Sequence, residues 1–105
     1  MIDEDTLRKI VDRVVAAAQP SRVILFGSYG RGDASADSDL DLMVVEPQVR
    51  DPYAEMVRLR TAVGSVGLGV DVLVYSEADL EERKDWCTSP VYWAVREGRT
   101  LYAAG

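Results

Sequence analysis

The residues of this 105-residue chain best suited to chemistry are three aspartates and a glycine-rich turn. Asp39 and Asp41 stand two apart, and Leu40, Leu42 and Val44 alternate with Asp39, Asp41 and Met43. A period of two belongs to a strand, so both carboxylates leave the same face. Two like charges side by side repel each other, and the fold gains little from them. Asp71 adds a third carboxylate inside Val70-Asp71-Val72-Leu73-Val74, a valine-rich run where strand propensity disfavours aspartate. Upstream, Gly27-Ser28 follows Phe26 directly and Gly30-Arg31-Gly32 continues the turn. A strand running into such a turn leaves backbone N–H groups without intrahelical partners, glycine lets a phosphate approach closely, and the serine hydroxyl is a further donor. Three carboxylates near a turn of this kind suit Mg²⁺ and nucleotide phosphates. Each part alone has a plainer reading. A Gly-Ser turn is most often structural, and an aspartate pair beside the loop-like stretch 35–38 can be a solvated strand entrance.

The rest of the composition narrows the chemistry. There is no histidine, which removes Ser-His-Asp and Cys-His nucleophile systems and most zinc sites. Cys87 is the single cysteine, so no intrachain disulfide forms, and any metal must be a hard cation held by carboxylates. A net charge of −6 and a pI near 4.5 repel phosphate backbones, so no direct nucleic-acid binding is expected, whereas a basic protein partner is electrostatically easier. The start, Met1-Ile2-Asp3-Glu4-Asp5, is acidic rather than the basic start of a signal peptide, and no apolar run approaches membrane-spanning length. No membrane association and a cytoplasmic location are therefore expected. At this length one domain over residues 1–105 is expected, with one core.

The elements that must position the aspartates follow from periodicity. Asp3 or Asp5 caps a first helix with the apolar face Leu7, Ile10, Val11, Val14, Val15 and Ala18, stopped by Pro20. Residues 23–26 read as a buried strand and 39–45 as a second. Asp51-Pro52 starts a helix with Tyr53, Met56, Val57 and Val63 on one face, closing in the region of Gly64, Gly67 and Gly69. Residues 70–75 alternate again as a third strand. Ser76 with Asp79 resembles a capping box, and Ser89-Pro90 opens a last helix ending near Gly98. The expected architecture is α/β: a small three-stranded mixed sheet with helices covering one face. Trp86, Tyr92 and Trp93 are expected to pack in the core rather than form a stacking platform or partner surface. Cys87 is expected to be a small packing residue, and the charged run 81–85 a solvated helix end.

Gly27-Ser28, ten intervening residues and then Asp39-Leu40-Asp41 resemble the signature of the DNA polymerase beta-like nucleotidyltransferase superfamily. The stretch GSYGRGDASADSDLDLMV is similar to that of its short bacterial members, the MNT (minimal nucleotidyltransferase) domains, and Asp71 fits their third acidic position. The resemblance covers nearly the whole chain and implies the polymerase beta-like fold. It also implies a two-metal reaction, in which Asp39 and Asp41 hold two Mg²⁺ ions and Asp71 binds mainly the one that activates the attacking hydroxyl. Gly27 and Ser28 would cradle the β- and γ-phosphates of ATP; Arg31 either contacts phosphate or is merely solvated. MNT domains are typically paired with HEPN proteins as toxin–antitoxin systems. The role implied is therefore that of an antitoxin, a protein adenylyltransferase that transfers AMP to a tyrosine of a HEPN RNase toxin. Two alternatives stand beside it: an antitoxin that masks the toxin by binding alone, and a small-molecule enzyme of the aminoglycoside nucleotidyltransferase kind.

Overall fold

The computed structural model describes residues 2–104. Helix α1 (Glu4–Ala18) starts where the Thr6 N–H donates to the Asp3 carboxylate at 2.7 Å, and it buries Leu7, Ile10, Val11 and Val14. Gln19, in the left-handed conformation, ends it and turns the chain into strand β1 (Arg22–Phe26). A short helix α2 (Gly27–Arg31) leads to β2 (Leu40–Glu46). Helix α3 (Pro52–Val63) opens at an Asp51 cap with proline in its first turn, as the Asp-Pro pair predicts. Then come β3 (Val70–Ser76) and α4 (Glu77–Arg83), which is capped by Ser76. Helix α5 (Pro90–Glu97), capped by Ser89, and β4 (Arg99–Ala103) complete the chain.

The sheet is mixed, in the order β3-β2-β1-β4. β2 runs parallel to β3, and β1 lies antiparallel to both β2 and β4. Four strands replace the expected three. β4 has only five residues, with no regular apolar alternation among them, and only Leu101 and Tyr102 reach the core. The pairing that makes it a strand comes from β1, which its own pattern does not announce.

Helices cover both faces of the sheet, not one. Leu40, Leu42 and Val44 of β2 pack with Leu7, Ile10 and Val14 of α1 and Leu59 and Val63 of α3. On the other face Met43 and Val45 pack with Ile24, with Val91 and Ala94 of α5, and with Leu80 of α4. A central strand buried on both sides gains apolar burial from every residue but Asp41 and Glu46, each large aliphatic side chain being worth roughly 1.5–3 kcal/mol. Two other expectations fail on the same ground. The buried stripe of α3 is Met56, Leu59 and Val63, while Tyr53 and Val57 face outward at 75% and 52% exposure. Trp86 and Trp93 are each 48% exposed rather than core residues, and Cys87 is exposed. Trp86 lies between α4 and α5. Trp93 sits two residues from Val91 on a helix, about 200° around the axis from the face that packs. Its indole N–H donates to the Cys87 carbonyl at 2.9 Å, and its ring meets Tyr92 edge-on.

At the far end of β2, Glu46 is buried (8% exposed) against α3. Glu55 holds Arg58 through two 2.7 Å bonds, and Arg58 also donates to the Ala17 carbonyl of α1 at 2.8 Å. Glu46 faces this pair with a shielded Oε2 that receives no N–H or O–H.

Candidate active site

The opposite end of the sheet carries the aspartates. There the C-terminus of β1 meets the starts of β2 and β3, because β1 is antiparallel and β3 parallel to β2. Register places Asp41 between Phe26 on one side and Asp71 on the other. Asp41 and Asp71 are thus direct cross-strand neighbours on the face that also carries Met43 and Leu73. Asp39 lies just before β2 and is exposed. It is tied in by the Leu40 N–H, which donates to the Gly69 carbonyl at 2.8 Å. The structure therefore brings Asp39, Asp41 and Asp71 to one end of one sheet face, with the glycine turn beside them.

That turn is α2. Gly27 has φ of +66°, a left-handed conformation that costs other L-residues roughly 1–2 kcal/mol. A β-carbon on it would stand 3.2 Å from the Asp41 carboxyl carbon and overlap its Oδ2. Glycine is thus required twice at this position, by backbone and by space. Phe26 offers no capping side chain, so the first N–H groups of α2, including those at Gly27 and Ser28, are not satisfied by a cap. Ser28 is half-buried, and its carbonyl accepts from the Asp33 N–H at 2.9 Å. Arg31 stands at the far end of the short helix, 3.3 Å from Asp33 and 4.0 Å from Glu97, in exposed ion pairs.

Electrostatics marks Asp41 as the strained member. Partial burial raises its carboxyl above the ordinary value. The charge of Asp71 and then that of Asp39 push it further, as does hydrogen bonding with Asp71, and Arg31 offsets only part. Negative charge concentrated in this way, with one distant arginine against it, is relieved by a cation. The donors are all carboxylate oxygens, which fits Mg²⁺ and not zinc. As the side chains stand, no set of three or more His, Cys, Asp and Glu donors is drawn together for a metal among the described residues. Asp41 and Asp71 form the close pair, and the Asp39 carboxylate lies over Gly69 beside them. Gly69, which sequence reasoning left inside a loop region, lies directly against that carboxylate. Beyond Asp71, a groove of about 280 Å³ runs along the free edge of β3, lined by Tyr53, Met56, Val57 and Arg60.

Residues 7–97 match the family described as nucleotidyltransferase domain. The chain is 28% identical to a putative protein adenylyltransferase of Methanocaldococcus jannaschii, over 97% of this chain and 100% of that one. A putative nucleotidyltransferase from Sulfolobus solfataricus superposes with a TM-score of 0.65 at 20% identity, covering 94% of this chain and 78% of that one. A toxin–antitoxin structure with AMP-PNP superposes with a TM-score of 0.59 at 21% identity, covering 98% of this chain and 75% of that one. At these identities the two structures share the fold.

Proposed function

The chain belongs to the nucleotidyltransferase domain family, and on that premise we propose that it is a protein adenylyltransferase that moves AMP from ATP to a tyrosine hydroxyl of a partner HEPN toxin, silencing it as an antitoxin. The observation that carries the reading is the Asp41–Asp71 register pair beside the uncapped, left-handed Gly27 turn. The full-length likeness to a putative protein adenylyltransferase supports a protein acceptor, and the shared fold with a toxin–antitoxin structure supports the setting.

In this reading the backbone N–H groups at Gly27 and Ser28, with the Ser28 hydroxyl, bind the β- and γ-phosphates of ATP. Asp39 and Asp41, with Asp71, would hold two Mg²⁺ ions, and these ions would supply positive charge to balance the charge that develops during transfer. Asp71 lies on the edge strand and is exposed, so an acceptor reaches it from outside the sheet. Its carboxylate takes the proton of the tyrosine hydroxyl. The hydroxyl oxygen forms a bond to the α-phosphorus, the bond from that phosphorus to the β-bridging oxygen breaks, and pyrophosphate leaves. The groove beside Asp71, with exposed Tyr53 and Val57, gives the acceptor protein an apolar footing next to the carboxylates. The chain's charge of −6 favours a basic partner.

Intact-mass spectrometry of the partner after incubation with this chain, ATP and Mg²⁺ tests the proposal. A gain of about 329 Da per AMP is expected, since transfer through the α-phosphate adds AMP less water. The modified toxin should remain inactive once the chain is removed. An unchanged partner mass with toxicity still suppressed, equally by Asp39→Ala/Asp41→Ala, means neutralisation by masking and sinks the catalytic reading. AMP transfer to a small hydroxylated antibiotic but not to protein would assign the enzyme to the small-molecule class.

A further inference from the structure

Three glycines lie between α3 and β3, and they are glycines for different reasons. Gly64 and Gly67 have φ of +72° and +84°, so their backbone conformation demands glycine. Gly69 is not among the positive-φ residues, and any L-residue could adopt its backbone. The space beside it is another matter. A β-carbon on Gly69 would stand 2.8 Å from Cγ of Asp39 and 3.4 Å from its Oδ2, and would overlap Oδ1. The Gly69 carbonyl meanwhile accepts from the Leu40 N–H at 2.8 Å, one residue past Asp39. Continuing the Leu40–Val70 register by one step makes Asp39 and Gly69 neighbours on the face that carries Asp41 and Asp71. The three atoms nearest the missing β-carbon, chain neighbours apart, all belong to the Asp39 carboxyl group.

We infer that Gly69 is a positioning residue for Asp39: its missing side chain leaves the room in which the Asp39 carboxylate lies beside the Asp41–Asp71 pair. The inference rests on the proposed reading of those three aspartates as the metal-holding set. Because the clash is with the end of a flexible side chain, the fold accommodates Gly69→Ala by turning Asp39 aside. A methyl group there thus removes one carboxylate from its place without removing it from the protein. Supporting residues that orient a metal ligand typically change metal affinity by about 10–100-fold when altered.

The experiment is Mn²⁺ titration of the nucleotide-free protein, followed by electron paramagnetic resonance, with melting temperature measured alongside. Gly69→Ala should melt like the unaltered protein yet bind Mn²⁺ about 10-fold more weakly. Asp39→Ala should be weaker still. In the Asp39→Ala background, adding Gly69→Ala should change nothing, because the glycine acts only through that carboxylate. The double variant also removes the clash, so it gives a folded second test should Gly69→Ala alone melt early. Unchanged or tighter Mn²⁺ binding by Gly69→Ala, with Asp39→Ala weakened, overturns the inference and leaves the three-aspartate site standing. So does a further loss on adding Gly69→Ala to Asp39→Ala. Undiminished Mn²⁺ binding by Asp39→Ala itself overturns both.

Discussion

Replacing Glu46 by glutamine should stabilise the protein at alkaline pH and do nothing in acid. Burial holds the Glu46 carboxyl at about 7 against an ordinary 4.5, and the neighbouring Glu55 adds to the effect while Arg58 offsets part. Glu55 moves the other way, because its bond to Arg58 favours its charged form. The natural description is a protonated Glu46 donating to a Glu55 carboxylate that Arg58 clamps. Gln48, Arg50 and Asp51 line the cavity of about 290 Å³ alongside.

The sign follows from proton counts. Between pH 4.5 and about 7 the unfolded chain has lost the Glu46 proton and the folded chain keeps it, so stability falls as pH rises across that window. Taken whole, the effect is about 3 kcal/mol by pH 8. Glu55 shares in it, so one substitution should recover about 1–2 kcal/mol, or roughly 5–15 °C in Tm for a domain this size. Glutamine keeps the shape and can still donate an N–H to Glu55. Thermal or urea unfolding of Glu46→Gln and the unaltered protein from pH 4 to pH 8.5 reads the difference. It should be near zero at the acid end and full by pH 8. A constant offset at every pH, or a variant less stable at pH 8, refutes the shared-proton account.

Four further expectations concern the site and its surroundings. Nucleotide transfer should require Mg²⁺ or Mn²⁺ and stop in excess EDTA, and Zn²⁺ should not substitute, because the chain has no histidine and one cysteine; transfer undiminished by chelator would remove the metal from the mechanism. Asp39→Ala, Asp41→Ala and Asp71→Ala should each abolish transfer, with double variants hardly worse than singles since all act through shared ions. Asp41→Ala should leave the metal-free melting temperature unchanged or slightly raised, because the carboxylate it removes is strained by Asp71 and Asp39; a large fall in Tm would mark the aspartates as structural. Tyr53→Ser with Val57→Ser should reduce kcat/KM for the protein partner at least several-fold while Mn²⁺ binding stays the same, since the pair is exposed and acts only by docking; equal turnover of the partner would place its docking surface elsewhere.

Much of the fold was legible because local chemistry and periodicity agreed. Asp3, Asp51, Ser76 and Ser89 all cap the helices their positions suggest, and the valine-rich runs are strands. What escaped depended on partners distant in sequence. β4 is a strand because β1 offers it an edge, and its own five residues carry no alternating apolar signal. Of the four apolar positions expected to share one face of α3, two face solvent, and periodicity alone does not decide which stripe meets the sheet. The helical spacing of Trp86 and Trp93 near Ser89-Pro90 suggested core, but their positions between and outside the packed helix faces leave them half in water.

The site divides along the same line. Strand period predicts that Asp39 and Asp41 share a face, and an aspartate inside a valine-rich run singles out Asp71. That Asp41 stands directly opposite Asp71 follows only from the parallel register of β2 with β3, and no one-strand pattern contains a register. The glycines make the point most sharply. In sequence Gly64, Gly67 and Gly69 look alike, three small residues closing a helix. In the structure the first two answer to their own backbone torsion, a local cause. Gly69 answers to a carboxylate thirty positions earlier in the chain, brought beside it by strand pairing. A residue whose reason is local can be read from its neighbours. One whose reason is the space occupied by another side chain becomes functional evidence only once the sheet has been assembled, and here that space belongs to a proposed metal ligand.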